Sequence, residues 1–197
     1  MEKTAGRATA EKIHAIAGLA IFTAIVVVLQ LLGSFIRFGP FSVSLVLVSI
    51  VIGAALYGPA AGAWLGFVFG FIVVLVDAAA FLAVNPIGTV ITCLLKGTAA
   101  GWISGLVFRA LSKRSDVLAT VAAAVVCPVV NTGIFLLGCV VFFLPTITAW
   151  GEAAGFTNVG TYMVVGFVGL NFVFEMLINV VLSPVIVRLL NIAKKQK

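Results

Sequence analysis

Charged side chains are scarce in this chain of 197 residues, of which 9% are charged and 63% are hydrophobic. Soluble domains carry charge on about a quarter of their residues, so this shortage excludes an ordinary soluble domain. No remaining stretch of the sequence has the composition of a soluble domain. Long apolar runs fill the chain instead, and we predict a single all-α domain of membrane-spanning helices over residues 1–197.

Metal-binding and catalytic residue types are also rare. The only histidine, His14, stands at the start of the first apolar run, and the three cysteines have no paired spacing. Neither a metal site nor a disulfide framework is indicated, and no cofactor is expected. Asp77 and Glu175 belong to different runs, and no serine has a suitable base nearby. An integral membrane enzyme acting on lipids is therefore the least favoured function class.

Six apolar runs are predicted to cross the membrane, because a spanning helix needs about 20 mostly apolar residues. Their approximate ranges are 13–32, 43–57, 60–76, 87–108, 117–143 and 161–190. The second run is short, so it is expected to borrow residues from its flanks or to cross at an angle. The first run is too long for a signal peptide and lacks a small-residue cleavage site, which makes it a true span.

Basic residues set the predicted orientation. Of the twelve lysines and arginines, ten precede the first span, join the fourth span to the fifth, or lie at the C-terminus. These segments share one side of a six-span protein, and the positive-inside rule makes it the cytoplasmic side of the cell membrane. Both termini are expected there, with Arg37, Asp77 and Glu152 outside. The net charge of +6 reflects this topology, so a nucleic-acid partner is not expected.

The external loops, residues 33–41, 77–86 and 144–160, are semi-apolar and rich in Phe, Gly and Pro. Loops exposed to water are normally more polar, so we expect these loops to fold onto the helix ends and cover something. Anchoring of their aromatic side chains in the membrane interface is the alternative.

Glycines recur every four residues along two neighbouring spans. The third span carries Gly58, Gly62, Gly66 and Gly70, and the fourth carries Gly97, Gly101 and Gly105. Small residues at this spacing let helix backbones approach closely in lipid. Both glycine rows are therefore interpreted as packing surfaces and not as substrate contacts.

Lys96 lies within the fourth span, where a buried ammonium costs several kcal/mol unless it has a partner. The other polar residues inside the spans are Gln30, Asn131, Thr132, Asn171, Glu175 and Asn179. At about 1.5 Å per residue, Lys96, Asn131 and Asn171 reach similar depths in the outer half of the bilayer. Glu175 lies about one turn deeper than Asn171.

Two interpretations of Lys96 follow. In the first, Lys96 and Glu175 form a buried ion pair that locks the fourth and sixth spans together. In the second, Lys96 and the neighbouring amides form a pocket that opens outward under the loops and accepts an anionic group. The pocket is preferred because it also explains the additional amides and the apolar loops. Both hold if Glu175 binds the ammonium when the pocket is empty.

Together these features resemble the substrate-binding S component of energy-coupling-factor (ECF) vitamin transporters. The resemblance rests on six spans in about 200 residues, Ala20 and Ala24 on the first helix, the Tyr57-Gly58-Pro59 turn, and Lys96-Gly97 followed by the glycine row. It implies capture of a water-soluble vitamin from outside, a transmembrane coupling subunit that contacts Ala20 and Ala24, and two cytoplasmic ATPase subunits. The chain has no Walker A sequence, so ATP-driven uptake requires those separate subunits.

The substrate is inferred from the chemistry of the polar residues. A lysine suits a carboxylate or phosphate, and asparagines suit hydroxyls and amides. Pantothenate therefore ranks first, followed by folate and riboflavin. The predicted substrate site comprises Lys96, Asn131, Thr132, Asn171, Glu175, Gln30 and Arg37, with Phe135, Trp150, Phe156 and Tyr162 available for stacking. A stand-alone secondary transporter or channel is the alternative, although the two glycine rows define no inverted halves.

Overall fold

The computed structural model describes the backbone of residues 2–34, 37–38, 41–42 and 46–195, and the side chains of residues 13–34 and 46–192. Its elements in chain order are α1 (Glu2–Gly33), β1 (Arg37–Phe38), β2 (Phe41–Ser42), α2 (Val46–Tyr57), α3 (Pro59–Val76), α4 (Ala79–Leu82), α5 (Pro86–Leu111), α6 (Asp116–Phe142), α7 (Leu144–Ala153), α8 (Val159–Thr161), a π-helical segment (Tyr162–Phe167) and α9 (Gly169–Lys195). The strands form one antiparallel pair. The predicted helical fold is confirmed apart from this pair.

Five helices are long and apolar enough to cross a membrane. They cover Ile13–Gly33, Pro59–Val76, Pro86–Leu111, Asp116–Phe142 and Gly169–Ile192. The remaining predicted span is the 12-residue helix α2, which is about 18 Å long against a hydrocarbon core of roughly 30 Å. Nine residues of α2 are buried, so its hydrophobic sequence serves the interior of the bundle. The six-span count and the cytoplasmic termini stay predictions.

The last predicted span, 161–190, is not one uniform helix. It is divided into the π-helical segment Tyr162–Phe167 and helix α9, which begins at Gly169. Val168 closes the wider turn by donating its N–H to the carbonyl of Met163, five residues back, at 3.2 Å. In an α-helix, side chains five residues apart point about 140° away from each other. The π-helical turn instead lets the rings of Tyr162 and Phe167 meet, with centroids 5.5 Å apart.

The starts of α3 and α5 follow from the local sequence. Gly58 has φ of 96°, a conformation that glycine adopts without steric cost, and Pro59 then takes the first helical position. Asn85 caps α5, its Oδ1 accepting a hydrogen bond from the Gly88 N–H at 2.9 Å. These two caps fix where the helices that carry the glycine rows begin.

The two glycine rows face each other across an antiparallel contact between α3 and α5. A Cβ added to Gly66 would overlap the backbone carbonyl of Gly97, and one added to Gly62 would overlap that of Gly101. Only hydrogen side chains permit this approach, which confirms the packing interpretation for these glycines. Gly58 is the exception, because a Cβ added there would meet nothing within 4 Å. Because Lys96 immediately precedes Gly97, the contact also fixes the position of the lysine.

Substitution of Gly66 by alanine tests this contact. We expect Gly66→Ala to lower the unfolding temperature in detergent by roughly 5 °C, since the methyl group would force two backbones apart. Gly133→Ala in α6 is the matched control, because a Cβ there meets nothing within 4 Å. Alanine is the better helix former, so the control should unfold at the same temperature or slightly higher. Equal losses for both variants would contradict the contact.

Candidate functional site

The ammonium of Lys96 lies against two aromatic rings. Its Nζ is 5.5 Å from the ring centroid of Phe69 on α3 and 5.1 Å from that of Phe135 on α6. Both distances fall in the cation–π range, and the lysine side chain is half-buried. Among the described side chains no carboxylate forms an ion pair with Lys96. The ring faces therefore supply the electrostatic stabilisation that the sequence led us to expect from an anion.

Phe135 connects Lys96 to an aromatic cluster at the same end of the bundle. The Phe81 ring centroid lies 5.8 Å from that of Phe135, 5.0 Å from Phe143 and 5.6 Å from Trp150. Phe167 lies 6.1 Å from both Phe135 and Trp150. These separations are typical of favourable ring pairs. With Phe156 and Tyr162, whose centroids are 5.3 Å apart, these residues form what we term the aromatic cluster.

Two of the three loops that the sequence predicts to be external fold onto the bundle. Residues 77–86 contain α4, which supplies Phe81 to the aromatic cluster and packs against α5. Residues 144–160 contain α7, which supplies Trp150 and packs against α6 and the π-helical segment. The loop 33–41 lies largely outside the described residues. The two described loops thus cover the region beside Lys96.

Glu175 is bonded within its own helix. The carboxyl group is 1% exposed, and its Oε1 accepts a hydrogen bond from Asn171 Nδ2 at 3.1 Å. Asn179 Nδ2 donates to the backbone carbonyl of Glu175 at 2.8 Å. The predicted polar stripe on α9, formed by Asn171, Glu175 and Asn179, is therefore present. The ion pair with Lys96 is not formed in the described structure.

The depths of Lys96 and Glu175 explain why they do not pair. Cys127, Asn131 and Phe135 follow one another at successive turns along α6. Phe135 contacts the Lys96 ammonium, and its ring centroid lies 6.1 Å from that of Phe167, whereas Glu175 follows Phe167 by eight residues. Eight residues of helix correspond to about 12 Å. About two helical turns therefore separate the levels of the two charges.

Asn131 lies between those two levels. Its side chain is 5% exposed, and its Oδ1 has no hydrogen-bond partner among the described residues. A proline inside a helix removes one backbone hydrogen bond and can open a turn. Helix α6 nevertheless continues through Pro128, so Asn131 lies in regular helix. Thr132 is half-buried beside it. A buried amide oxygen without a partner is costly in a protein interior, which marks Asn131 as a candidate ligand contact.

The remaining predicted residues differ in their positions. Gln30 is buried and donates its Nε2 to Asp77 Oδ2 at 2.6 Å, which ties α1 to the end of α3. Arg37 belongs to β1, and its side chain lies outside the described part of the chain. Ala20 and Ala24 are exposed on α1, where a partner helix has access to them.

Four aromatic residues of the site, Phe69, Phe81, Phe143 and Phe167, were not singled out from the sequence. Phe69 faces α5, and it lies three residues after Gly66, a helical spacing that would have placed it on the same face as the glycines. Phe81 and Phe167 lie in a loop and in the π-helical segment, among 16 phenylalanines in all. Nothing in their spacing distinguishes these two from phenylalanines that face lipid.

A half-buried ammonium, an aromatic wall and amides with unused acceptors together form a candidate site for a polar ligand between the helices. A family model for the substrate-specific component of ECF transporters matches residues 14–187, and the chain belongs to this family. It is thus a substrate-binding transport subunit of a kind that works with a membrane coupling subunit and ATPases. No curated protein and no solved structure matches the chain.

Replacing Lys96 by methionine separates the two interpretations of its charge. We expect the empty Lys96→Met protein to unfold in detergent at the same temperature as the parent or a few degrees higher, because the variant no longer buries an ammonium. Lys113→Met, at an exposed position between α5 and α6, is the matched control. A fall of roughly 10 °C that Glu175→Gln partly restores would instead establish the ion pair.

Proposed function

We propose that this chain captures a water-soluble vitamin at the outer side of the cell membrane, with Lys96 as the anchor for an anionic group. The observation that carries the proposal is the Lys96 ammonium, which contacts ring faces and forms no ion pair with a described carboxylate. In a low-dielectric site such a charge attracts an anion strongly. Family membership supports substrate capture, and the chemistry of the site supports an acidic vitamin.

Pantothenate is the first candidate. Its carboxylate suits Lys96, and its hydroxyl and amide groups suit the side chains of Asn131, Thr132 and Asn171. The methylene groups beside its carboxylate suit the aromatic cluster next to Lys96, to which Phe135, Trp150 and Tyr162 belong. Folate and riboflavin follow, because their ring systems can stack on the same side chains. Glu175, Gln30 and Arg37 complete the proposed set, with Gln30 acting through its hydrogen bond to Asp77.

A vitamin panel tests this assignment. Purified protein is screened by thermal shift and native mass spectrometry against pantothenate, folate, riboflavin and other water-soluble vitamins. We expect one acidic vitamin to bind and Lys96→Ala to weaken its binding at least tenfold, or about 1.4 kcal/mol. Lys113→Ala should bind as the parent does. A ligand that binds Lys96→Ala as well as the parent would remove Lys96 from the site.

Uptake is proposed to require partners. A chain with six spans and both termini in the cytoplasm presents α1 to a transmembrane coupling subunit, which is served by two ATPases. The small side chains of Ala20 and Ala24 leave an exposed surface on α1 that a second helix can approach closely.

A bulky residue on α1 tests the proposed partner surface. We expect Ala20→Trp to retain vitamin binding and to lose both co-purification with the coupling subunit and uptake by reconstituted vesicles. Val181→Trp is the matched control, since Val181 is exposed on α9, away from α1. Uptake by the chain alone, without ATPase subunits, would contradict the proposal and favour a secondary transporter or channel.

A further inference from the structure

We infer that the ligand binds in one direction, with its anionic group at Lys96 and a hydrogen-bond donor at the deeper level of Glu175. This inference rests on the proposed function and specifies its substrate class. The ligand is an elongated molecule with an anion at one end and hydroxyl, amine or N–H groups at the other. Three observations support it: the donor at the outer level, the acceptors at the middle and deeper levels, and the distance between the outer and deeper levels.

The outer level offers a donor. Lys96 Nζ can only donate hydrogen bonds, and it lies over the ring of Phe135. The rings of the aromatic cluster around Phe135 supply no anion to neutralise it. An anionic ligand group is therefore stabilised at this level. The lysine can bind such a group and keep its contacts with the ring faces.

The middle and deeper levels offer acceptors. The side-chain oxygens of Asn131, Asn171 and Asn179 are buried and have no hydrogen-bond partner among the described residues. The orientations of the Asn171 and Asn179 amides follow from their hydrogen bonds. Asn171 Nδ2 donates to the carboxyl group of Glu175, and Asn179 Nδ2 donates to its backbone carbonyl. Their oxygens are left as the unused groups, and only a donor can satisfy them.

The two levels are far enough apart to act on opposite ends of one molecule. The rings of Phe135 and Phe167 lie 6.1 Å apart at the level of Lys96, and Glu175 follows Phe167 by eight residues, or about 12 Å of helix. A ligand bound in reverse would place its anion among acceptor oxygens beside the Glu175 carboxyl group and its donors against an ammonium. Like charges and paired donors repel, so the reverse direction is disfavoured.

Ligand analogues combined with site variants test the direction. The full-length protein in detergent is titrated with pantothenate, with pantothenol, in which a hydroxymethyl group replaces the carboxylate, and with an analogue lacking the terminal hydroxyl. We expect Lys96→Met to weaken pantothenate binding at least tenfold and to leave pantothenol binding within twofold. Glu175→Gln should weaken pantothenate and pantothenol equally, by several-fold, and leave the deoxy analogue unaffected.

The opposite pattern would overturn the inferred direction. In that pattern Glu175→Gln strengthens pantothenate binding, and Lys96→Met weakens pantothenate and pantothenol equally. Should Glu175→Gln fail to fold, Asn131→Leu replaces it, and the same equal loss for both ligands is expected.

The vitamin panel distinguishes failure of the inferred binding direction from failure of the proposed function. If folate binds in place of pantothenate, the same titrations use folate and its amidated form. Binding of only a vitamin without an anionic group, such as riboflavin, would overturn the inferred direction while vitamin capture stands. If no vitamin binds, the proposed function fails and the inferred direction fails with it.

Discussion

The backbone contact between α3 and α5 is the constraint on which the rest of the site depends. Glycines at four-residue intervals on both helices remove every side chain from the contact, so the two backbones touch. Lys96 and Phe69 each stand next to a glycine of these rows, and their cation–π contact follows from that position. A helix pair held apart by ordinary side chains would not bring an ammonium so close to the ring of a neighbouring helix.

Separation of charge along the membrane normal is the second organising feature. An ion pair between Lys96 and Glu175 would satisfy both groups and close the interior to polar ligands. The structure instead places them about two turns apart, with aromatic rings at one level and amides at the other. The side-chain oxygens of Asn131 and Asn171 have no hydrogen-bond partner among the described residues.

Much of this organisation can be predicted from sequence because it depends on periodicity. The spacing of Asn171, Glu175 and Asn179 predicts one helix face, and the spacing of the glycines predicts the closest helix contact. The apolar character of residues 77–86 and 144–160 predicts loops that fold back. Each of these signals is local, and the α-helix converts it directly into geometry.

The rest depends on distances that sequence does not carry. The relative depth of Lys96 and Glu175 depends on how far α5 and α9 are displaced along the membrane normal, and an error of one turn decides whether they pair. The sequence does not reveal that α2 serves the interior of the bundle, because burial in a protein core and contact with lipid select the same residues. The roles of Phe81 and Phe167 depend on α4 and on the π-helical segment, which no spacing in the sequence indicates.

The π-helical segment gives the aromatic cluster a further property. The ring of Tyr162 reaches Phe167 because one backbone turn is wider than its neighbours, not because a whole helix is tilted. A change of hydrogen-bond register from i→i+5 to i→i+4 at this single turn would swing the ring of Tyr162 away from Phe167 while α9 stayed in place. The position of Tyr162 in the wall of the site thus depends on the hydrogen-bond register of one backbone turn, and not on the glycine contact that holds the bundle together.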